Sequence, residues 1–224
     1  MRPLGVRPSV ADNRQHRRSM APIRLDDILG RERYGAVREG VRQRVIEHKR
    51  HRRVALGDQV TFVFEDRVTV WYQTQEMLWV ESITDLDAIR HELDVYNALL
   101  PGVDELSATM LIEITDQARI RPVLESLLGI DRAVWLEANG IRVQGVFEAG
   151  RQTERELSAV QYVRFPLSVA AREAVLGTGP LSLVIDHPRY QARAVVPPDV
   201  HESLARDLRE PESDVALRYV RNGF

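Results

Sequence analysis

The dipeptide Asn139-Gly140 constrains the fold of this chain more than any other short segment. It separates two segments rich in β-branched and aromatic residues, VWLEA at 134–138 and IRVQGVFE at 141–148. Asn-Gly readily supplies the two positive φ angles of a type I′ turn, whose twist matches that of an antiparallel hairpin. The sequence therefore predicts that these segments pair antiparallel, and that at least part of the fold is an antiparallel sheet.

The rest of the chain alternates between helical and strand patterns. Apolar spacing predicts helices over residues 31–50, 85–100, 117–128, 168–176 and 198–208, and β-rich runs predict strands over 60–65, 108–114, 159–167, 181–186 and 192–196. Residues 68–81 fit either a second hairpin strand or a helix. The helix is favoured because Val70, Trp71, Thr74, Met77 and Leu78 then share one face.

Together these elements predict an α+β fold, a single domain with a largely antiparallel sheet, helices packed mainly on one face, and a preceding basic helix. Residues 1–19 are Arg-rich and aperiodic, and we expect a disordered extension there, with Met20 as an alternative start. The domain is expected over 20–209, and a loose C-terminal tail over 210–224.

The composition excludes several classes of protein. The 224-residue chain has no cysteine, so disulfides, thiolate catalysis, zinc fingers and cysteine-held iron–sulfur clusters are all excluded. No apolar run approaches the roughly 20 residues of a membrane helix, so we expect a cytoplasmic protein with no membrane partner. No phosphate-binding loop, GxSxG elbow or HExxH motif occurs.

The polar segment YQTQE at 72–76 is the first candidate site, because polar groups among apolar side chains need partners. If 68–81 is helical, its polar side chains can meet those of the next helix in a hydrogen-bond network. A carboxylate-bridged metal site would also require a His three residues after each Glu, and Trp79 and Val95 stand there instead, so no metal is predicted. The candidate residues are Gln73, Gln75, Glu76, Glu92, Tyr96 and Asn97.

Three further groups are candidates. Asp186 and His187 end an apolar strand, where they either form a hydrogen-bonded turn or act as an acid–base pair. Glu113 would join Glu76 and Glu92 in a carboxylate site. The basic residues that follow the first predicted helix are candidates for anion binding, although no aromatic residues lie between them for base stacking, which makes nucleic acid an unlikely partner. These residues are Arg50, Arg52 and Arg53.

Several segments carry a resemblance to a known family: IRLDDIL, YGAVREGVRQRVIEHKRHRRVALGD, YQTQEMLWVE, ELDVYNALLPG, LSATMLIEI and IDHPRYQA. Over residues 23–196 the chain resembles an uncharacterised bacterial family of unknown function, DUF3501. The Gln-x-Gln-Glu-Met and Glu-Leu-x-x-Tyr-Asn segments resemble it most. The family has no established activity to transfer to individual residues. The resemblance implies that such proteins are often encoded near rubrerythrin-like and iron–sulfur oxidoreductase proteins.

The leading hypothesis is therefore an accessory or binding protein whose partner is a redox protein of an oxidative-stress or electron-transfer system. One alternative is an enzyme that uses Glu76, Glu92 and Glu113 in acid–base or metal-dependent chemistry. A second alternative is nucleic-acid binding through the basic residues 42–53. The sequence identifies no cofactor and leaves the oligomeric state open.

Overall fold

The structure is a computed structural model that describes residues 19–148, 157–211 and 213–222. The predicted extension over 1–19 therefore lies almost wholly outside the described residues. The helices are α1 Arg31–Arg50, α2 Arg67–Val80, α3 Leu86–Asn97, α4 Ile120–Ser126, α5 Val169–Leu176, α6 Pro198–Arg209 and α7 Val215–Asn222. The strands are β1 Arg53–Leu56, β2 Val60–Phe64, β3 Glu105–Ile112, β4 Val134–Ala138, β5 Ile141–Gln144, β6 Val146–Phe147, β7 Val160–Pro166, β8 Leu181–His187 and β9 Tyr190–Val195.

The strands form two antiparallel sheets, with the orders β1-β2-β3-β7-β6 and β5-β4-β8-β9. The predicted α+β class is confirmed, and the predicted antiparallel strands are distributed over these two sheets. The segment IRVQGVFE is not one strand, because the chain leaves the second sheet after β5 and joins the first at β6. Gly145 marks this crossing: a Cβ there would lie 2.7 Å from a methyl group of Val163, so only glycine fits without a shift.

The turn at Asn139-Gly140 has the predicted geometry. The φ angles are 46° and 82°, both positive as a type I′ turn requires. The hairpin register pairs Ala138 with Ile141 and Glu137 with Arg142. The antiparallel hairpin predicted from the dipeptide is confirmed.

The first sheet lies between two hydrophobic cores. One core is formed between the sheets and helices α5 and α6, and includes Phe62, Phe64, Met110, Leu136 and Leu183. The second core joins α1, α2, α3 and α7 to the segment 20–29, and includes Tyr34, Val41, Trp71, Leu93 and Leu217. Every residue of β2 is buried, which explains why apolar residues occupy both faces of this strand.

Capping side chains define the two central helices. The Asp66 carboxylate accepts a hydrogen bond from the backbone N–H of Thr69, and the Thr69 hydroxyl oxygen accepts one from the backbone N–H of Asp66. Helix α2 therefore starts with a capping box. Asp85 accepts from the N–H groups of Asp87 and Ala88 and caps α3, as predicted. The choice of a helix over 68–81 is confirmed.

The C-terminal segment differs from the expected loose tail. Residues 215–222 form α7, whose Leu217 and Val220 are each 1% exposed in the second core. The Val220 carbonyl accepts two hydrogen bonds from the Arg44 guanidinium, at 3.2 and 3.0 Å. The sequence pattern was too short to predict this helix, because tertiary contacts rather than length stabilise it. None of the described helices is both long enough and apolar enough to cross a membrane.

Candidate functional site

Three consecutive charged residues, Glu65, Asp66 and Arg67, lie at the junction of β2 and α2. Their exposed fractions are only 3%, 6% and 8%. Burial of an ionised group is costly unless the group is paired and hydrogen-bonded. The junction forces this burial because α2 starts directly after the fully buried β2 and lies between the two cores. We call these residues the charged junction, and each of the three side chains has its own set of partners.

The Glu65 carboxylate is held by uncharged donors. It accepts hydrogen bonds from the hydroxyls of Thr69 and Thr109 and from Nε2 of Gln73, the last at 3.1 Å. In the described part of the chain, no Arg, Lys or His side chain forms an ion pair with this carboxylate. Glu65 also lines a cavity of about 280 Å³.

Asp66 belongs to a buried ionic cluster around Arg52, which is 1% exposed. Arg52 lies 3.4 Å from the Asp66 carboxylate and 2.6 Å from that of Asp207, and His48 Nε2 lies 2.6 Å from Asp66. Two carboxylates thus compete for one guanidinium. Burial opposes the charge of Asp66, but Arg52 and His48 hold its pKa well below the usual value. Burial and the neighbouring Asp66 charge raise the pKa of Asp207.

Arg67 links the two ends of the described domain. Its guanidinium forms ion pairs with Asp214, just before α7, and with Asp27 at 3.3 Å. Arg221 of α7 also pairs with Asp27, at 2.9 Å. This cluster fastens the segment 20–29 and α7 to the start of α2.

The polar residues of YQTQE have three separate roles. Gln73 donates to Glu65, and Gln75 bonds both backbone groups of Leu29, its Oε1 accepting at 2.9 Å and its Nε2 donating at 3.0 Å. Glu76 accepts a 2.5 Å bond from the Tyr34 hydroxyl and a bidentate pair from Arg38, at 2.8 and 2.7 Å.

The pKa values at this contact reflect the pairing of Glu76 with α1. The Arg38 guanidinium lowers the pKa of Glu76, while burial and the bond to Glu76 raise the pKa of Tyr34.

On α3, the amide side chain of Asn97 bonds the segment 20–29 rather than α2. Asn97 binds both backbone groups of Ile23, which donates to Oδ1 at 2.7 Å and accepts from Nδ2 at 2.9 Å. Tyr96 packs against the second core, and Glu92 is half-buried on the same helix. Helices α2 and α3 therefore each hold the segment 20–29 through one amide side chain, Gln75 and Asn97.

The remaining predicted residues lie in other parts of the fold. Glu113 is half-exposed and bonds Arg53 at 2.5 Å and the Thr61 hydroxyl at 3.1 Å. His187 is buried, with Nε2 3.1 Å from the Leu128 carbonyl, whereas the adjacent Asp186 is exposed. Alternation along β8 points the two side chains to opposite faces, so they do not form a pair.

The three candidate anion-binding arginines have different surroundings. Arg52 is enclosed by carboxylates and by the carbonyls of Phe64 and Glu65. Arg53 is paired with Glu113, and Arg50 is exposed and paired with Glu47 at 2.7 Å. The structure therefore does not combine the three into one anion site.

A different surface combines basic and aromatic side chains along α1 and α2. Tyr72 and Trp79 lie on one face of α2, and cations of α1 cover their rings. Arg31 lies 4.5 Å from the Trp79 ring centre, and Lys49 lies 5.5 Å from that of Tyr72. The Trp79 ring packs where a Cβ on Gly35 would clash at 2.6 Å. We call this surface the basic–aromatic strip; it consists of Arg31, Arg38, Arg42, Lys49, Tyr72 and Trp79.

Residues 22–208 match the family model described as protein of unknown function (DUF3501). The chain belongs to this family. A crystal structure of a novel protein of unknown function from Burkholderia pseudomallei K96243 has the same fold as this DUF3501 chain, with a TM-score of 0.79 and 36% sequence identity. The likeness covers 84% of this chain and 99% of that one. No curated protein matches the sequence.

Sequence reasoning missed the charged junction of this DUF3501 protein. The signal was the segment FEDRV, in which three charged residues in a row interrupt two apolar segments. When a buried strand ends in Glu and the next residue is an Asp that caps a helix, the Asp is expected to be buried. The charged residues on either side of the Asp are then buried with it. Among the described residues, no three His, Asp or Glu side chains lie close enough together to hold a metal ion.

Proposed function

We propose that the protein is an accessory protein that binds an acidic surface of a redox partner through the basic–aromatic strip. The observation that carries this proposal is the composition of the strip. Protein interfaces are enriched in Trp, Tyr and Arg, and such residues dominate measured binding energies. The strip contains two aromatic rings and four cations on two adjacent helices.

The charge of the strip favours an acidic partner. Arg31 is exposed over Trp79, and the Arg42 side chain is 53% exposed. Glu76 neutralises Arg38 through a bidentate pair, and Glu39 lies 3.7 Å from Arg42. Arg31 and Lys49 keep a net positive charge at the two ends of the strip. Such a surface steers encounter with a negatively charged partner and makes the association rate depend on salt.

The redox nature of the partner is supported by the resemblance to the family and by the composition. The resemblance implies genes for rubrerythrin-like and iron–sulfur proteins in the neighbourhood. A cysteine-free chain lacks the thiolates that hold iron–sulfur clusters, so the partner would carry the cluster and this protein would act on it in the cytoplasm.

The alternative function, an enzyme with a carboxylate site, has less support. Glu76 is bound to Arg38 early in α1, whereas Glu113 is bound to Arg53 after the end of that helix. At about 1.5 Å of rise per residue, Arg38 lies roughly 18 Å along the helix axis from its end. Each carboxylate also forms an ion pair with an arginine. The two carboxylates therefore do not form a common acid–base or metal site.

The test is a pull-down of the tagged protein from its native bacterium, treated with nuclease and analysed by mass spectrometry. We expect recovery of a rubrerythrin-like or iron–sulfur protein, and loss of that protein with the double variant Arg42→Glu/Lys49→Glu. Raised salt should release the partner. The matched control is Arg121→Glu on α4, whose side chain is 89% exposed and outside the strip.

Recovery of the same partner by the strip variant would overturn the proposed surface. Recovery of no redox protein by the unchanged chain would overturn the redox partner. Urea titration of each variant separates loss of binding from loss of folding.

A further inference from the structure

A cavity with a carboxylate residue, Glu65, in its wall lies outside the basic–aromatic strip. It opens between the end of α3 and the strands β3, β6 and β7. Its volume of about 280 Å³ equals that of about nine water molecules, at roughly 30 Å³ each. That is close to the lower end of the usual range for small-molecule sites.

The Glu65 carboxylate is the buried charge of this cavity. A carboxylate offers about four acceptor positions, and Thr69, Thr109 and Gln73 occupy three of them. All three donors are uncharged. The buried Arg52 guanidinium bonds the Glu65 backbone carbonyl, at 3.0 Å, so within the described residues no cation forms a hydrogen bond or ion pair with the carboxylate itself. A buried anion in this condition attracts a cation strongly, because the surrounding dielectric constant is low.

The other ionic groups of the cavity do not neutralise Glu65. Arg164 also lines the wall, but its guanidinium pairs with Glu105 and donates to the carbonyls of Ala98 and Leu100. Glu148 adds a second carboxylate at the exposed rim. The buried charge of the cavity wall is therefore the negative charge of Glu65.

The remaining wall is apolar and aromatic, with Val146, Phe147, Tyr162 and Leu99 around the carboxylate. Ser107 adds a hydroxyl oxygen, whose proton is donated to the Leu99 carbonyl at 2.7 Å, so its lone pairs are left to accept. We propose that this cavity binds a small organic cation, a primary ammonium group on an apolar body. The ammonium donates to Glu65 and the body packs against the rings. This site is independent of the proposed partner surface.

The experiment compares three probes of nearly equal shape: benzylammonium, benzyl alcohol and benzoate. Titration of the labelled full chain is followed by NMR shifts of backbone amides. We expect benzylammonium to bind at least about tenfold more tightly than the alcohol, and benzoate not to bind. The shifted amides should be those of β3, β7 and the end of α3.

Two variants test the site by different routes. Glu65→Gln keeps the shape and removes the charge, and should abolish the preference for the cation over the alcohol. Val146→Trp fills the mouth from an exposed position on β6, and should block binding of both benzylammonium and benzyl alcohol without disturbing the buried hydrogen bonds. The matched control is Val160→Trp on neighbouring β7, a residue 36% exposed and not in the cavity wall, which should bind as the unchanged chain does.

Equal affinity for the cation and the alcohol would overturn the proposal, as would failure of benzylammonium to bind. Binding unaffected by Val146→Trp would place the probe elsewhere and overturn the site, even if Glu65→Gln fails to fold. Pull-down of a redox partner by Val146→Trp should be unchanged, so the two proposals fail separately.

Discussion

At the scale of single residues, the polar side chains of α2 stabilise the structure more than they expose chemistry. Glu76 fills two needs at once, since it accepts from the fully buried Tyr34 and forms a bidentate pair with Arg38. A group with two such partners cannot be truncated without leaving a buried donor unpaired. Glu76→Ala is therefore not a neutral probe of binding.

We predict that Glu76→Ala lowers the free energy of unfolding by about 1–3 kcal/mol, the usual penalty for leaving a buried hydrogen-bonding group unpaired. Glu76→Gln should cost less, because the amide oxygen still accepts from Tyr34. Urea titration measures both. The control is Glu39→Ala on the exposed face of α1, expected within about 0.5 kcal/mol of the unchanged chain. A loss for Glu76→Ala no larger than that of the control would contradict the role of the contact.

The contact of Glu76 with Tyr34 and Arg38 also predicts the direction in which the stability of the protein changes with pH. The folded pKa of Glu76 lies below its unfolded value, which is about 4.3. The stabilisation is therefore complete above that pH and is lost as the pH falls through the folded pKa. Glu76→Gln has no carboxylate that can be protonated. The difference in free energy of unfolding between this variant and the unchanged chain should therefore become smaller as the pH is lowered.

At the scale of elements, local signals predicted what each segment forms and could not predict what it packs against. The Asn139-Gly140 turn and the Asp85 cap act within a few residues, and both are confirmed. The partners of Gln75 and Asn97 lie 46 and 74 residues away in sequence. Their backbone targets, Leu29 and Ile23, lie on either side of a single 3-10 turn at Leu25–Asp27, in a segment with no periodic pattern, so sequence spacing alone did not indicate these contacts.

Asn97→Ala should loosen the segment 20–29 locally. The change removes both hydrogen bonds to the buried Ile23, so we expect its amide to exchange about tenfold or more faster with solvent, equivalent to about 1.4 kcal/mol of lost protection. Hydrogen exchange read by NMR measures this. The amide of Leu29, held by Gln75, serves as the internal reference and should change less.

Glu92→Ala is the control on the same helix, because Glu92 has no part in the bonds to Ile23. Equal protection of the Ile23 amide in Asn97→Ala and Glu92→Ala would show that Asn97 does not hold the segment.

At the scale of the whole molecule, the charged junction connects parts of the chain that the sequence analysis treated separately. Glu65 lines the cavity, Asp66 caps α2 and joins the Arg52 cluster, and Arg67 pairs with both Asp27 and Asp214. The α+β class followed from local patterns. The division into two sheets and the packing of α7 did not, because both depend on contacts between residues distant in sequence.

We predict that the C-terminal helix α7 stabilises the whole fold. Removal of residues 210–224 should lower the free energy of unfolding by about 2–4 kcal/mol, because it exposes the partners of Leu217 and Val220, offset by the chain entropy that α7 no longer loses. It also leaves Arg67 without Asp214 and Asp27 without Arg221. Urea titration of the truncated chain measures the loss.

Two comparisons make that measurement specific to packing. Leu217→Ala should reproduce much of the loss, about 2–4 kcal/mol, whereas Tyr219→Ala, at a residue 65% exposed on the same helix, should stay within about 0.5 kcal/mol. If removal of residues 210–224 changed the free energy of unfolding as little as Tyr219→Ala does, α7 would not contribute to the core. The expectation of a loose C-terminal tail would then be correct. A loss confined to the truncation and Leu217→Ala would instead make α7 part of the folding unit, with Arg67 as its attachment point.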